Sequence, residues 1–185
     1  MTSKTKKIIL ITSAIVLIVG ISAFLIKKNK KPNSILLLGG LDNRDDDLSI
    51  DEQANLIKKG SNMKTEAFRF NNSEGLIKAI NETKKPSYVV LFSKGGEYSI
   101  EIAQAMKSKD IPLEYLYIVE PYGKSSATKK SVNDAVKLGV PSTNVFVGLL
   151  ESTGFKIVDD ASLSPSCVPF HWCALKEVGK LISLK

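Results

Sequence analysis

Residues 87–96 read SYVVLFSKGG, and this stretch indicates the fold. It begins with a run of apolar and aromatic residues that contains no charge and ends in two glycines. A strand without an alternating polar face is typical of a sheet buried on both sides, as parallel sheets are. Paired glycines indicate a tight turn, and Ile100, Ala103 and Met106 then fall on one face of a helix. The stretch therefore predicts a strand, a turn and a helix in succession.

The same alternation of short apolar runs and amphipathic stretches continues on both sides. Further strands are predicted at residues 35–38, 65–70, 113–119 and 144–149. Helices are predicted at residues 49–59, with Gly60 as the stop, at 72–82, with Asn72 or Ser73 as the cap, and at 97–107, 128–138 and 172–182. This order predicts an α/β fold: a mostly parallel sheet with helices on both faces, in three layers. Ligands bind at the carboxyl ends of the strands in such sheets, so we expect functional residues directly after each strand.

The N-terminus contains a candidate membrane anchor. Residues 8–26 are nineteen positions without a charge, and lysines lie on both sides of them. A helix of that length spans about 28 Å, close to the hydrocarbon thickness of a bilayer. We therefore predict a basic tail at residues 1–7, one transmembrane helix at 8–26, a linker at 27–33 and a domain at 34–185.

The charge distribution excludes one class of partner. The chain has 185 residues and a net charge of +7, but the first 31 residues contain seven lysines and no acidic residue. The remainder is neutral, so it has no electrostatic footprint for a phosphate backbone, and we expect no nucleic-acid partner. A hydrophobic content of 43% also excludes a disordered chain.

The orientation in the membrane is weakly determined, because lysines flank both ends of the predicted span. The short N-terminal tail favours a signal anchor that exports the domain, so we expect a single-pass membrane protein with an extracytoplasmic domain. The two cysteines, Cys167 and Cys173, would form a disulfide in an oxidising compartment and remain thiols in a reducing one.

The turn after the central predicted strand resembles a known catalytic turn. The sequence Leu91-x-Ser93-x-Gly95-Gly96 is similar to the G-x-S-x-G pattern on which the α/β-hydrolase superfamily carries its serine nucleophile, although Leu91 stands where that family usually has glycine. The small residues allow the backbone to double back sharply. The resemblance extends over residues 34–185 and implies an α/β-hydrolase-like domain.

The resemblance also implies a set of site residues. Ser93 would be the nucleophile, His171 the general base and Glu151 the acid that orients it, with Glu120 as the alternative acid. The backbone amides of Gly40 or Leu41 and of Lys94 would hold the oxyanion.

Two functions follow from these residues. The first is a membrane-anchored serine hydrolase of the esterase or lipase type, which acts on a carboxylic ester of a small molecule or a lipid. The alternative, favoured by Leu91, is a catalytically inactive α/β-hydrolase-like domain with a structural or interaction role, tethered to an envelope or virion membrane. Neither function implies a metal or an organic cofactor, and the oligomeric state stays open.

Overall fold

The structure is a computed structural model, and it describes residues 31–40, 48–121, 126–146 and 173–185. Five parallel strands form one sheet within these ranges, in the order β2-β1-β3-β4-β5. The strands are β1 (Ser34–Leu38), β2 (Lys64–Phe68), β3 (Tyr88–Phe92), β4 (Leu116–Val119) and β5 (Val145–Phe146). The helices are α1 (Ile50–Ser61), α2 (Ser73–Glu82), α3 (Ser99–Ser108), α4 (Ser126–Leu138) and α5 (Cys173–Ser183). The predicted α/β fold with a parallel sheet is confirmed.

Helices cover both faces of the sheet. Alternate strand side chains pack in opposite directions: Leu36 and Leu38 of β1 belong to one core cluster, and Ile35 and Leu37 belong to the other. The first cluster includes buried residues of α2, α3 and α4, and the second includes buried residues of α1 and α5. Both faces of β1, β3 and β4 are therefore shielded from solvent, which explains why the sequence of these strands is continuously apolar.

Both ends of α1 differ by one or two residues from the predicted range 49–59. Ser49 caps the helix: its Oγ accepts a hydrogen bond from the Glu52 amide, and its own amide donates to the Glu52 carboxylate at 2.8 Å. The Ser49 hydroxyl also donates to this carboxylate at 2.7 Å, and this bond, followed by the one from the Ser49 amide, lowers the pKa of the Glu52 carboxyl. Gly60, predicted as the stop, instead lies inside the helix, which ends at Asn62 in the left-handed conformation with φ of 57°.

Three 3₁₀ turns explain the later starts of α3, β4 and β5. Residues Ser93–Tyr98 form such a turn before α3, so the regular helix begins two residues later than predicted. Residues Leu113–Tyr115 form a second turn, which delays the start of β4 to Leu116. A third turn, Ser142–Asn144, precedes β5, and the buried Asn144 amide donates to the carbonyls of Glu114 and Leu116. These side-chain hydrogen bonds hold the residues before β4 and β5 in turns, although the apolar sequence pattern predicts strands there.

The close contact between α1 and α5 depends on glycine. A Cβ atom built on Gly179 of α5 would lie 2.4 Å from the Ile57 carbonyl oxygen and 3.1 Å from the Gly60 Cα. Gly60 has the reciprocal contact, since its Cβ position is 2.1 Å from the Lys176 carbonyl oxygen. The two helix backbones are therefore in direct contact, and α1 and α5 pack together over the second core cluster.

The predicted membrane span at residues 8–26 lies outside the described residues. None of the helices in the described ranges combines the length and the hydrophobicity needed to cross a bilayer. Cys173, the first residue of α5, is disulfide-bonded, and the sequence contains one other cysteine, Cys167.

We expect Gly179→Ala to lower the free energy of unfolding by about 1–3 kcal/mol, because the added methyl group forces α5 away from the α1 backbone. Lys180→Ala is the matched control, since Lys180 lies on the exposed side of the same helix and should change stability by less than about 0.5 kcal/mol. Urea unfolding followed by circular dichroism measures both. An unchanged midpoint for Gly179→Ala would contradict the close helix contact.

Candidate functional site

The carboxyl ends of β1, β3 and β4 bring three residues into one row. Leu38 pairs with Leu91, and Phe92 pairs with Val119. Extending these registers beyond the strand ends aligns Gly40, Ser93 and Glu120. The contact between the first two is direct, because a Cβ atom on Gly40 would lie 2.8 Å from the Ser93 Cβ.

This row lies where the chain changes direction across the sheet. From β1 the chain passes to β2 on one side, and from β3 it passes to β4 on the other. Such a switch point between β1 and β3 is where doubly wound sheets bind ligands. The order β2-β1-β3-β4-β5 is that of the flavodoxin-like class, whose ligand crevice is at the ends of its first and third strands.

The turn after β3 is held in an uncommon conformation. Ser93 has φ of 51° and is 7% exposed, and the 3₁₀ turn that it begins runs directly into α3. A Cβ atom on Gly95 would lie 2.5 Å from the Leu38 carbonyl oxygen, and one on Gly96 would lie 2.7 Å from the Pro121 Cβ. The two glycines therefore allow the turn to pack against the ends of β1 and β4.

Glu120 ends β4 with a similar backbone. Its φ is 47°, its side chain is 4% exposed, and its Oε2 oxygen is shielded from solvent. Its amide donates to the Phe146 carbonyl of β5 at 2.7 Å. A left-handed conformation in a residue other than glycine costs free energy and persists only where the surrounding structure enforces it, often at functional sites. Two such residues, Ser93 and Glu120, directly follow the neighbouring strands β3 and β4.

Charged and hydroxyl groups surround the row. Lys94 forms an ion pair with Glu97, and each side chain is 28% exposed. The Ser99 hydroxyl donates to the Gly96 carbonyl at 2.7 Å, and the Ile100 amide donates to the Ser131 hydroxyl of α4 at 3.1 Å. These bonds fix the start of α3 against α4. Among the described residues, no group of three His, Cys, Asp or Glu side chains could hold a metal ion.

A buried glutamine holds the end of β1. Gln53 of α1 is fully buried; its Oε1 accepts from the Gly40 amide at 2.9 Å, and its Nε2 donates to the Leu48 carbonyl at 2.8 Å. The side chain thus ties together the two ends of the segment between β1 and α1. The Gly40 amide, expected to hold an oxyanion, is already bonded to Gln53, which argues against that role.

The opposite, amino edge of the sheet carries a cavity, and the second core cluster contains a stacked aromatic pair. The cavity measures about 280 Å³ and is lined by Ser34, Ile35, Leu36, Lys64, Glu66, Ala79, Glu82, Thr83 and Ser87. In the second core cluster Tyr117 stacks on Phe146, with ring centroids 6.3 Å apart. Burial, with a smaller contribution from Glu114, raises the pKa of Tyr117 to about 12, so its hydroxyl stays neutral at physiological pH. The cavity does not lie at the switch point.

Four of the predicted site residues therefore meet at one edge: Gly40, Ser93, Lys94 and Glu120. The predicted base His171, the predicted acid Glu151 and the predicted oxyanion residue Leu41 lie outside the described residues. Sequence reasoning missed Gln53. Its signal was a polar residue between Ile50, Ala54 and Ile57 on the apolar face of α1.

The fold is a doubly wound α/β domain, and the row of residues at its switch point is a candidate ligand-binding edge. Its relatives among curated proteins are 3-dehydroquinate dehydratases of Clostridium botulinum. The chain is 27% identical to that of strain Hall over 137 positions, which covers 66% of this chain and 93% of the relative. It is 27% identical to that of strain Langeland, with 90% of the relative covered, and 26% identical to that of strain Loch Maree. Neither a protein-family model nor a solved structure matches the chain.

These relatives overturn the α/β-hydrolase resemblance. The expected serine hydrolase, with Ser93 as nucleophile for an ester, is wrong, because the curated relatives carry the name of a dehydratase. The inactive hydrolase-like alternative is not supported either. The motif misled for a physical reason. Gly95 and Gly96 are required by the backbone of β1 and by Pro121, which is a packing demand of the doubly wound sheet and does not depend on a nucleophile.

We expect Gln53→Leu to lower the free energy of unfolding by about 2–4 kcal/mol, because it leaves the buried Gly40 amide and the Leu48 carbonyl without their side-chain partner. Asn55→Leu on the same helix exchanges an amide for a leucine at an exposed position and should change stability by less than about 0.5 kcal/mol. Chemical denaturation of both variants gives the comparison. Equal stabilities would show that Gln53 does not hold the end of β1.

Proposed function

We propose that the domain catalyses a dehydration of the kind named for its relatives, with a small cyclic keto acid such as 3-dehydroquinate as the substrate. One observation carries this proposal: the match extends over 93% of the relative's length, so the similarity is not confined to a common strand–turn–helix unit. The parallel sheet with a switch point at β1 and β3 supports it, because a small ligand binds at that edge in folds of this order.

The chemistry of the reaction fits the groups at this edge. Removal of water beside a ketone requires a base for the proton on the neighbouring carbon and hydrogen-bond donors for the oxygen that becomes negative. The edge carries a carboxylate at Glu120 and a hydroxyl at Ser93, and the first turn of the helical segment that begins at Ser93 presents backbone amides. A base and donors are thus available at the same edge of the sheet.

The substrate's own carboxylate requires a cation. Lys94 directly follows Ser93 and is 28% exposed, so its ammonium group can meet a ligand that enters the crevice. Its ion pair with Glu97 keeps the side chain at the start of the 3₁₀ turn. A partly exposed pair of this kind is weak, at about 0–1 kcal/mol, so a ligand carboxylate can compete for Lys94.

The full-length chain, purified in detergent, should convert 3-dehydroquinate to a product with a carbon–carbon double bond conjugated to the ketone. Conjugation gives an ultraviolet absorbance that the substrate lacks, so the reaction can be followed continuously. Quinate has an alcohol in place of the ketone and is the matched control, because its α-proton is not acidic and no absorbance should appear. A chain that is folded by circular dichroism and gives no product would contradict the proposed function.

We further propose that residues 8–26 tether the domain to a membrane as a single-pass anchor. The support is the uncharged stretch of nineteen residues between lysine clusters. The full-length chain should remain in the membrane fraction after alkaline carbonate extraction, while a chain that begins at residue 32 should be released. Release of both chains by carbonate would contradict the anchor.

A further inference from the structure

Exposed lysines collect at the amino edge of the sheet, around the starts of β2 and β3. The strands are parallel, so their starts lie at one edge, and α1 and α2, which lead into β2 and β3, end at that edge as well. Five exposed lysines belong to these segments and are here called the lysine patch: Lys58, Lys59, Lys64, Lys84 and Lys85. The amino edge therefore carries a concentration of positive charge.

The opposite edge of the same strands carries the reverse charge. The described residues from the ends of β1, β2 and β3 to the first turn of the next helix include four carboxylates and two basic side chains: Asp51, Glu52, Glu74, Glu97, Arg69 and Lys94. The carboxylates beside the lysine patch are Glu66 and Glu82, and Glu82 lies 3.9 Å from the ammonium group of Lys78. A region without net charge over residues 32–185 thus separates its charges between two edges.

Helix dipoles account for only part of the lysine patch. Lysines are favoured in the last turn of a helix, and Lys58 and Lys59 lie in the last turn of α1. Lys64, Lys84 and Lys85 lie outside the helices, so the dipole gives no reason for them. Within the described ranges none of these three ammonium groups has an ion-pair partner. They are available to an external anion.

The chain enters the domain at this same edge. The uncharged stretch ends at residue 26 and β1 begins at Ser34, so seven residues separate them and can span at most about 25 Å. This short tether, residues 27–33, itself contains four lysines. A tether raises the local concentration of the domain at the surface to which it is attached, so a weak attraction is sufficient for binding there.

We propose that the lysine patch binds the surface of an anionic bilayer, an inference that rests on the proposed anchor at residues 8–26. The amino edge then lies against the phospholipid head groups, and the carboxyl edge with the candidate site remains open to solvent. Phosphate groups attract the lysines and repel the carboxylates of the opposite edge, so the separation of charges fixes the orientation. Each lysine near such a surface favours the bound state about fivefold.

The full-length chain in lipid nanodiscs tests this orientation. The discs contain phosphatidylcholine with or without anionic phosphatidylglycerol, and a trace of lipid with a nitroxide on its head group broadens the NMR signals of nearby amides. In anionic discs we expect the amides of Lys64 and Lys84 to broaden more than those of Glu74 and Glu97. The difference should disappear in about 1 M salt, where the screening length is about 3 Å.

Lys84→Gln combined with Lys85→Gln should lower the ratio of bound to unbound domain about 30-fold and remove the excess broadening in anionic discs. Lys129→Gln combined with Lys130→Gln is the matched control. It removes the same charge from an adjacent pair of lysines near the start of α4, at the carboxyl edge, and should leave the broadening unchanged. Circular dichroism checks that both variants are folded.

The outcomes separate the patch from the anchor. Release of the full-length chain by carbonate overturns the anchor and this inference with it. An anchored chain whose broadening is the same in both kinds of disc, or is strongest at Glu74 and Glu97, overturns only the orientation. Excess broadening that persists in the Lys84→Gln, Lys85→Gln variant assigns the attraction to the tether and overturns the role of the patch. Binding of heparin that depends on Lys84 and Lys85, without a response to the anionic lipid, also overturns the proposal and assigns the patch to a soluble polyanion.

Discussion

The contact between the turn after β3 and the carbonyl oxygen of Leu38 is the constraint on which the site depends. A methyl group on Gly95 would come within 2.5 Å of that oxygen, so this turn can pack here only with glycine at that position. The contact brings the end of β1 against the start of the helical segment and places Gly40 beside Ser93. The left-handed backbone of Ser93 is part of the same turn, because the chain must bend sharply at the end of β3 to bring Gly95 against Leu38.

The left-handed residues at this edge destabilise the fold, and the buried core compensates for them. A residue other than glycine in the left-handed region costs about 1–3 kcal/mol, and both Ser93 and Glu120 adopt it. The buried strands compensate, since each fully buried Leu, Ile or Val contributes about 1.5–3 kcal/mol. Helices on both faces thus provide a rigid support, while the strained residues are confined to the carboxyl edge. This separation of a stable core from a strained edge is what a precisely positioned proton-transfer site requires.

The strands, helices and layers of the fold could be predicted from the sequence, whereas the function predicted from it was wrong. The β1 and β3 strands were recognisable because both faces of the sheet are buried, and Asn72, one of the two candidate caps, is the N-cap of α2. The start of β4 was predicted too early. Residues Leu113–Tyr115 continue the pattern of the strand in the sequence, but they form a 3₁₀ turn that is hydrogen-bonded to the Asn144 side chain. The rule that parallel strands end at one edge placed Gly40, Ser93 and Glu120 together. It could not reveal the chemistry, since a glycine-rich turn serves packing in many sheets, nor the Gln53 contact, which depends on tertiary structure.

Binding at the carboxyl edge is the central claim, and an NMR titration of the full-length chain in micelles with quinate, the analogue that lacks the ketone, measures it most directly. The account predicts that the largest amide shift changes occur at Gly40, Ser93 and Glu120 and saturate together. Changes confined to Ser34 and Ser87, beside the cavity at the amino edge, would contradict it, as would the absence of any saturable change.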